Sequence, residues 1–194
     1  MLLFGIAGAF VAYCFIGQYF LTTHPDYNVA VVSPYYLPEA TVTALQQQLA
    51  AYGEDCNGDG KVVVKINQYT MAFNSEDSDA YLDMAGTTKL STDIQSSLSS
   101  IFILYDPAGF QQTTGTLRYL DGHLPNSDAD SDWWNMVYRW TDCPALTGLD
   151  LGTYTGLTMV DDLQGENQDI MKNTYIGRRA YYTDKPALES ETYD

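Results

Sequence analysis

Positive charge is scarce in this chain. Nine Lys and Arg side chains face 25 Asp and Glu, a net charge of −16 over 194 residues, and no charged side chain precedes Asp26. A field of that sign repels phosphate backbones and anionic lipid surfaces, so no nucleic-acid partner is expected. Histidine is nearly absent, and neither His24 nor His123 stands beside an evident nucleophile. The chain also lacks a G-x-S-x-G elbow, a phosphate loop, a G-x-G-x-x-G after its first apolar run, and an H-E-x-x-H. Recognisable catalytic constellations are therefore missing, which argues against an enzyme. Of the three cysteines, Cys14 lies in an apolar N-terminal run. That leaves Cys56 and Cys143 as the one possible disulfide, open to oxidation only in an exported domain.

What is present begins with that apolar run. Residues 1–21, MLLFGIAGAFVAYCFIGQYFL, carry no charge, and Gln18 is their one strongly polar side chain. A helix of that length spans about 30 Å, the thickness of a bilayer's hydrocarbon core. The basic n-region and small-residue cleavage site of a secretory signal are not evident. The segment is expected to be a single-pass transmembrane anchor inserted in the lipid bilayer. Residues 22–27 read as a juxtamembrane linker, 28–184 as one domain, and 185–194 as a polar tail. With a short N-terminus and a large acidic, tyrosine-rich domain after the anchor, the domain is expected outside the cytoplasm.

Within the domain, apolar periodicity alternates between two kinds. NVAVVS (28–33), KVVVKINQYTM (61–71) and SIFILYD (100–106) read as strands rich in β-branched residues. Between them, Val42, Leu45, Leu49 and Ala50 recur at helical spacing, as do Tyr81, Met84, Ala85, Leu90, Ile94 and Leu98 over residues 78–98. Asp106-Pro107 marks a strand-to-helix passage. A β-α-β-α-β order of this kind predicts an α/β domain of three layers, with a mainly parallel sheet covered by helices on both faces. The second half is less regular. TLRYLDG reads as a segment closing into a turn, and NSDADSDWWNMVYRW as an acidic loop leading into a helix capped by Asp132. ENQDIMKNTYIGRRAYY reads as a last helix and strand.

Two stretches hint at sites. In DCNGDGK, Asp55, Asn57 and Asp59 alternate as at the start of a calcium loop, Gly60 supplies the sharp turn, and the Lys61 carbonyl would follow. Position 12 of such a loop needs a bidentate acid, and here it is Ile66. A structural calcium ion on Asp55, Asn57 and Asp59 is one reading; the favoured one is a tight turn in which Asn-Gly and Asp-Gly take positive φ. The acids Asp128, Asp130 and Asp132 also alternate, and read as a solvated loop and cap. The second stretch, DWWNMVYRW, holds all three tryptophans. On a helix, Trp133, Val137 and Trp140 would share one side and Trp134 another. Such a band is mostly core, but Trp133, Trp134 and Trp140 are also the candidate surface for docking a partner.

The β-α-β-α-β run followed by ILYDPAGFQQTTGTLRYLDG resembles the N-terminal lobe of extracellular solute-binding proteins. The matching pieces are a strand ending in Asp106, a short helix over Pro107–Gln112, and Gly115 through Leu120-Asp121; the resemblance spans residues 28–122. The whole chain is also similar to singly anchored extracytoplasmic proteins of Gram-positive bacteria. Solute-binding proteins of this type close two lobes on a ligand, and the chain beyond residue 122 is too short for a full second lobe. One lobe with a C-terminal elaboration is therefore implied. In an open α/β sheet, a ligand sits beyond the C-terminal strand ends, which names Tyr35, Tyr36, Tyr69 and Asp106 as ligand-binding candidates. The expected function is a non-catalytic extracytoplasmic module that binds a small molecule or a protein. The competing expectation is a hydrolase of cell-wall or dietary polymers using paired carboxylates.

Overall fold

The structure, a computed structural model, describes residues 24–73, 80–125, 132–152 and 167–181, with the backbone alone at 80–83 and 167. The expected anchor, residues 1–21, lies outside these, as do residues 22–23 of the linker and the whole polar tail, 185–194. Among the described residues no helix is long and apolar enough to cross a membrane.

The described residues form a mixed α/β fold around a five-stranded sheet ordered β2-β1-β3-β5-β4. β1 (Tyr27–Ser33) is central and runs parallel to β2 (Val64–Thr70) and to β3 (Ile101–Leu104). All six residues from Asn28 to Ser33 are buried. A near-continuous apolar run is what a parallel strand covered on both faces requires. β5 (Tyr175–Arg178) runs antiparallel to β3 and carries β4 (Val137–Arg139) on its other side, also antiparallel. Four of the five strands thus point the same way, and β4 forms an edge.

Strand alternation sends side chains into two separate cores. Val29, Val31, Val64, Ile66 and Ile103 pack on one face against Leu45 of α1 (Glu39–Ala50) and against Trp140, Leu149, Leu151, Ile170 and Met171. Ala30, Val32, Tyr69, Phe102 and Leu104 pack on the other against Leu90 of α2 (Ala80–Ser96) and Phe110 of α3 (Pro107–Thr114). The α3 start follows from sequence directly, whereas its end lies beyond the expected Gln112. Asp106 accepts from the Gly109 N–H at 2.9 Å, Pro107 opens the first turn, and Gly115 closes the last with φ 59°.

Helix α2 keeps part of its expected inward face, with Leu90 buried and Ile94 packed against the core, and departs from it elsewhere. Met84 is 64% exposed and Leu98 42%, whereas Gly86, Leu90 and Asp93 turn inward. A Cβ on Gly86 would lie 2.1 Å from the Thr70 carbonyl oxygen, so glycine is what permits the helix to seat against β2. The helix expected over DWWNMVYRW does not form. Trp133–Asn135 make one 3₁₀ turn, Val137–Arg139 become β4, and Trp140–Asp142 make a second 3₁₀ turn. Aromatic and β-branched side chains suit a pleated edge better than a helix, and pairing with β5 decides between them. Two short helices, α4 (Pro144–Thr147) and α5 (Asn167–Met171), complete the described chain.

Candidate functional site

The strand-end candidates do not converge. Tyr35 is half-buried, with its ring edge-on to Tyr105 at 5.8 Å and its hydroxyl donating to the Ile170 carbonyl at 3.4 Å. Burial, then the neighbouring Tyr105, pushes its pKa up to about 12. Tyr36 stands in solvent at 54% exposure. Tyr69 is turned into the core and donates to Asp93 Oδ2 at 2.5 Å; burial and that bond raise its pKa well above the ordinary tyrosine value. Asp106 is held as the α3 cap. It alone of the four lines the cavity of about 180 Å³ at these strand ends, among Val32, Pro34, Met71, Phe73 and Tyr105.

The DCNGDGK loop is a chain of turns closed by its own side chains. Asp55 accepts from the Gly58 and Gly60 N–H groups, each at 2.7 Å, and these bonds hold its carboxyl below the usual range. Asn57 Oδ1 accepts from Asp59 N at 2.9 Å, and Asp59 Oδ1 from Lys61 N at 2.9 Å. Gly58 and Gly60 take φ of 76° and 83°, the positive values that the turn reading requires. Buried Asp26, which sequence reasoning did not single out, ties the loop down. It accepts from Cys56 N at 2.9 Å, Asn57 N at 3.2 Å and Val63 N at 2.7 Å. Among the described residues no group of three or more His, Cys, Asp or Glu is placed to hold a metal ion. Cys56 and Cys143 are both free thiols.

The three tryptophans take different environments. Trp140 is fully buried and donates its indole N–H to Gln168 Oε1 at 2.9 Å. Trp133 is half-buried, edge-on to Tyr175 at 5.8 Å. Trp134 is 59% exposed and stands at the rim of a cleft of about 400 Å³ near the β4 edge, shared with Tyr119, Asp121, His123, Asp132 and Asn135.

Two distant turns build this cleft. One runs through Tyr119–His123 and closes by the Tyr119 N–H donating to the His123 carbonyl at 3.1 Å. The other is the 3₁₀ turn after Asp132. Leu120 N donates to the Asn135 carbonyl at 2.9 Å and joins them. The Tyr119 ring stacks on the His123 ring at 4.0 Å, and its hydroxyl donates to Asp132 Oδ1 at 2.5 Å. Asn135 Nδ2 donates to Asp132 Oδ2 at 3.2 Å. Asp121 Oδ1 meets His123 Nδ1 and also accepts the His123 N–H at 3.2 Å. Hydrogen bonds from Tyr119 hold the Asp132 carboxyl below its ordinary range, and those from His123 do the same for Asp121.

Chemically the cleft therefore presents two firmly ionised carboxylates, an imidazole and an exposed indole. Trp134 was legible as an interaction candidate from its sequence. Asp121, His123 and Asn135 were not, because their meeting depends on one long-range backbone bond. Comparison with known proteins adds no relative, since no protein-family model matches the chain and neither a curated protein nor a solved structure is significantly similar to it.

Proposed function

We propose that this chain is a membrane-anchored, extracytoplasmic binding module, akin to a single solute-binding lobe, with its ligand in the cleft beside Trp134. The observation that carries the reading is the exposed indole set against two carboxylates and an amide held in place by their own hydrogen bonds. An aromatic face with positioned polar groups is a recognition surface. The anchor rests on the uncharged residues 1–21, and the bilayer is then the partner of that segment.

The hydrolase reading draws on Asp121 and Asp132 lining one cleft. General acid catalysis needs one carboxyl held protonated near neutrality. Both carboxyls are instead pulled down by hydrogen bonds to their charged forms, which favours binding over glycoside hydrolysis.

Two measurements test the proposal. Cys56 is an exposed free thiol, so in a Cys143→Ser background a membrane-impermeant maleimide added to intact cells should label it. Labelling only after lysis would contradict an external domain. The full chain incubated with soluble cell-wall and plant oligosaccharides should release no product. Turnover that disappears in Asp132→Asn would make the cleft a hydrolase site instead.

A further inference from the structure

The cleft's leftover hydrogen-bonding capacity has a sign. Asp121 receives both of its His123 bonds on Oδ1, and among the described side chains Tyr119 and Asn135 each donate to one Asp132 oxygen. A carboxylate oxygen has about two acceptor positions, so acceptors are in surplus. Against them stand the Trp134 indole N–H and the second ring nitrogen of His123. Among the described residues no Lys or Arg lines the cleft. Arg118, on the same turn, donates to the Gly122 carbonyl at 2.7 Å and lies outside the lining. The surrounding charge of −16 adds to the same bias, and such a field draws cations and repels anions.

A neutral sugar wants donors and acceptors in comparable number, which this surface does not offer. An anion meets two ionised carboxylates. A ligand rich in N–H donors, positively charged, and flat enough to lie on an indole satisfies all three features together. Guanidinium is planar, always charged, pairs two-pronged with carboxylates and stacks on aromatic faces.

Resting on the reading of this cleft as the binding site, the geometry points to a guanidinium group as its ligand, stacked on Trp134 and hydrogen-bonded to the Asp121 and Asp132 carboxylates. Such a group comes either from a free guanidino compound or from an arginyl residue of a peptide.

The test is calorimetric titration of the full chain in nonionic detergent with N-acetylarginine amide and with its neutral isostere, N-acetylcitrulline amide. Both keep the shape of the side chain, and only one is charged. The arginine compound should bind at least about tenfold more tightly, with affinity falling as salt rises. Asp121→Asn and Trp134→Ala alter exposed side chains, so both should melt with the wild type while weakening binding at least about fivefold. Free arginine and the peptide Gly-Arg-Gly separate the two sources, the tighter of them naming the natural presentation.

Equal binding of the citrulline compound, or binding of N-acetylglucosamine oligomers in its place, overturns the guanidinium assignment. If that binding is lost in Trp134→Ala, the cleft stands as the binding site. No binding by any probe also overturns the assignment. Arginine binding unchanged in both variants overturns the cleft itself.

Discussion

Asp93 shows how much one side chain can organise. It sits 2% exposed near the end of α2. Its oxygens accept from Tyr69 at 2.5 Å and from the Ser99 hydroxyl and N–H at 2.6 and 3.0 Å, and Arg179 Nη1 lies 3.7 Å away. Arg179, also buried, donates to the carbonyls of Ser99 and Ile94. Helix α2, strand β2 and the chain after β5 are thereby fastened at one point. Asp93→Ala should cost about 3–5 kcal/mol in urea unfolding, since it strands a buried guanidinium. Adding Arg179→Met should recover a large part of that loss, and strictly additive costs would show that the pair is not coupled. Tyr35 and Tyr69 give a second residue-scale expectation. Both have folded pKa values raised above the 10.0 of an ordinary tyrosine, that of Tyr35 to about 12. Between those pH values the unfolded chain has released the Tyr35 proton and the native one keeps it. The tyrosine contribution to stability should therefore be constant below pH 10 and fall as pH rises toward 12. Tyr35→Phe should flatten that fall in a pH series of urea midpoints.

At the scale of elements, what sequence revealed and what it hid have separate physical causes. The three parallel strands and the start of α3 were legible because local chemistry alone specifies them: β-branched runs, Asp106 and Pro107. Helix α2 was legible in position and at Leu90 and Ile94, but not at Gly86 and Asp93, which are poor core residues by type. Each becomes an inward position only through a partner far along the chain, the Thr70 carbonyl for one and Arg179 for the other. Gly86→Ala tests that reading, since helix propensity alone would gain about 1 kcal/mol. With a Cβ 2.1 Å from backbone, it should instead destabilise by about 1–3 kcal/mol in thermal or urea unfolding.

The aromatic segment misled for the opposite reason, since helical spacing was there to be read while the deciding contact, pairing with β5, was not. The DCNGDGK loop lies between these cases. Its positive-φ glycines were foreseen and its tether, Asp26, was not. With the Asp55 oxygens already accepting two backbone N–H bonds, millimolar calcium should leave the melting temperature unchanged relative to chelator. A calcium-dependent rise that vanishes in Asp55→Ala and Asp59→Ala would make the loop a metal site.

Across the whole molecule, the parallel β1–β3 unit and its two cores form the scaffold, and the turns at Tyr119–His123 and Asp132–Asn135 supply the proposed recognition surface. The cleft forms where the turn after α3 meets the turn before β4, so it joins the two halves of the described chain. Its polar residues carried no site reading of their own, Asp121 closing the Gly115–Asp121 segment and Asp132 reading as a cap, and the sequence pointed instead to the strand ends, where open α/β sheets usually bind. The strand-end residues proved to be a core tyrosine, a helix cap, a half-buried ring and one exposed ring. The two locations give opposite expectations in solution. The chain has three tryptophans, whose indole N–H signals report on the core, the interior side of the 3₁₀ turn and the cleft rim. Titrating the ¹⁵N-labelled full chain with N-acetylarginine amide and following these signals tests the central claim directly. The Trp134 signal should move and saturate while that of Trp140 stays fixed. A still Trp134, with shifts confined to the backbone around Tyr35 and Asp106, would contradict the account and return the binding site to the strand ends.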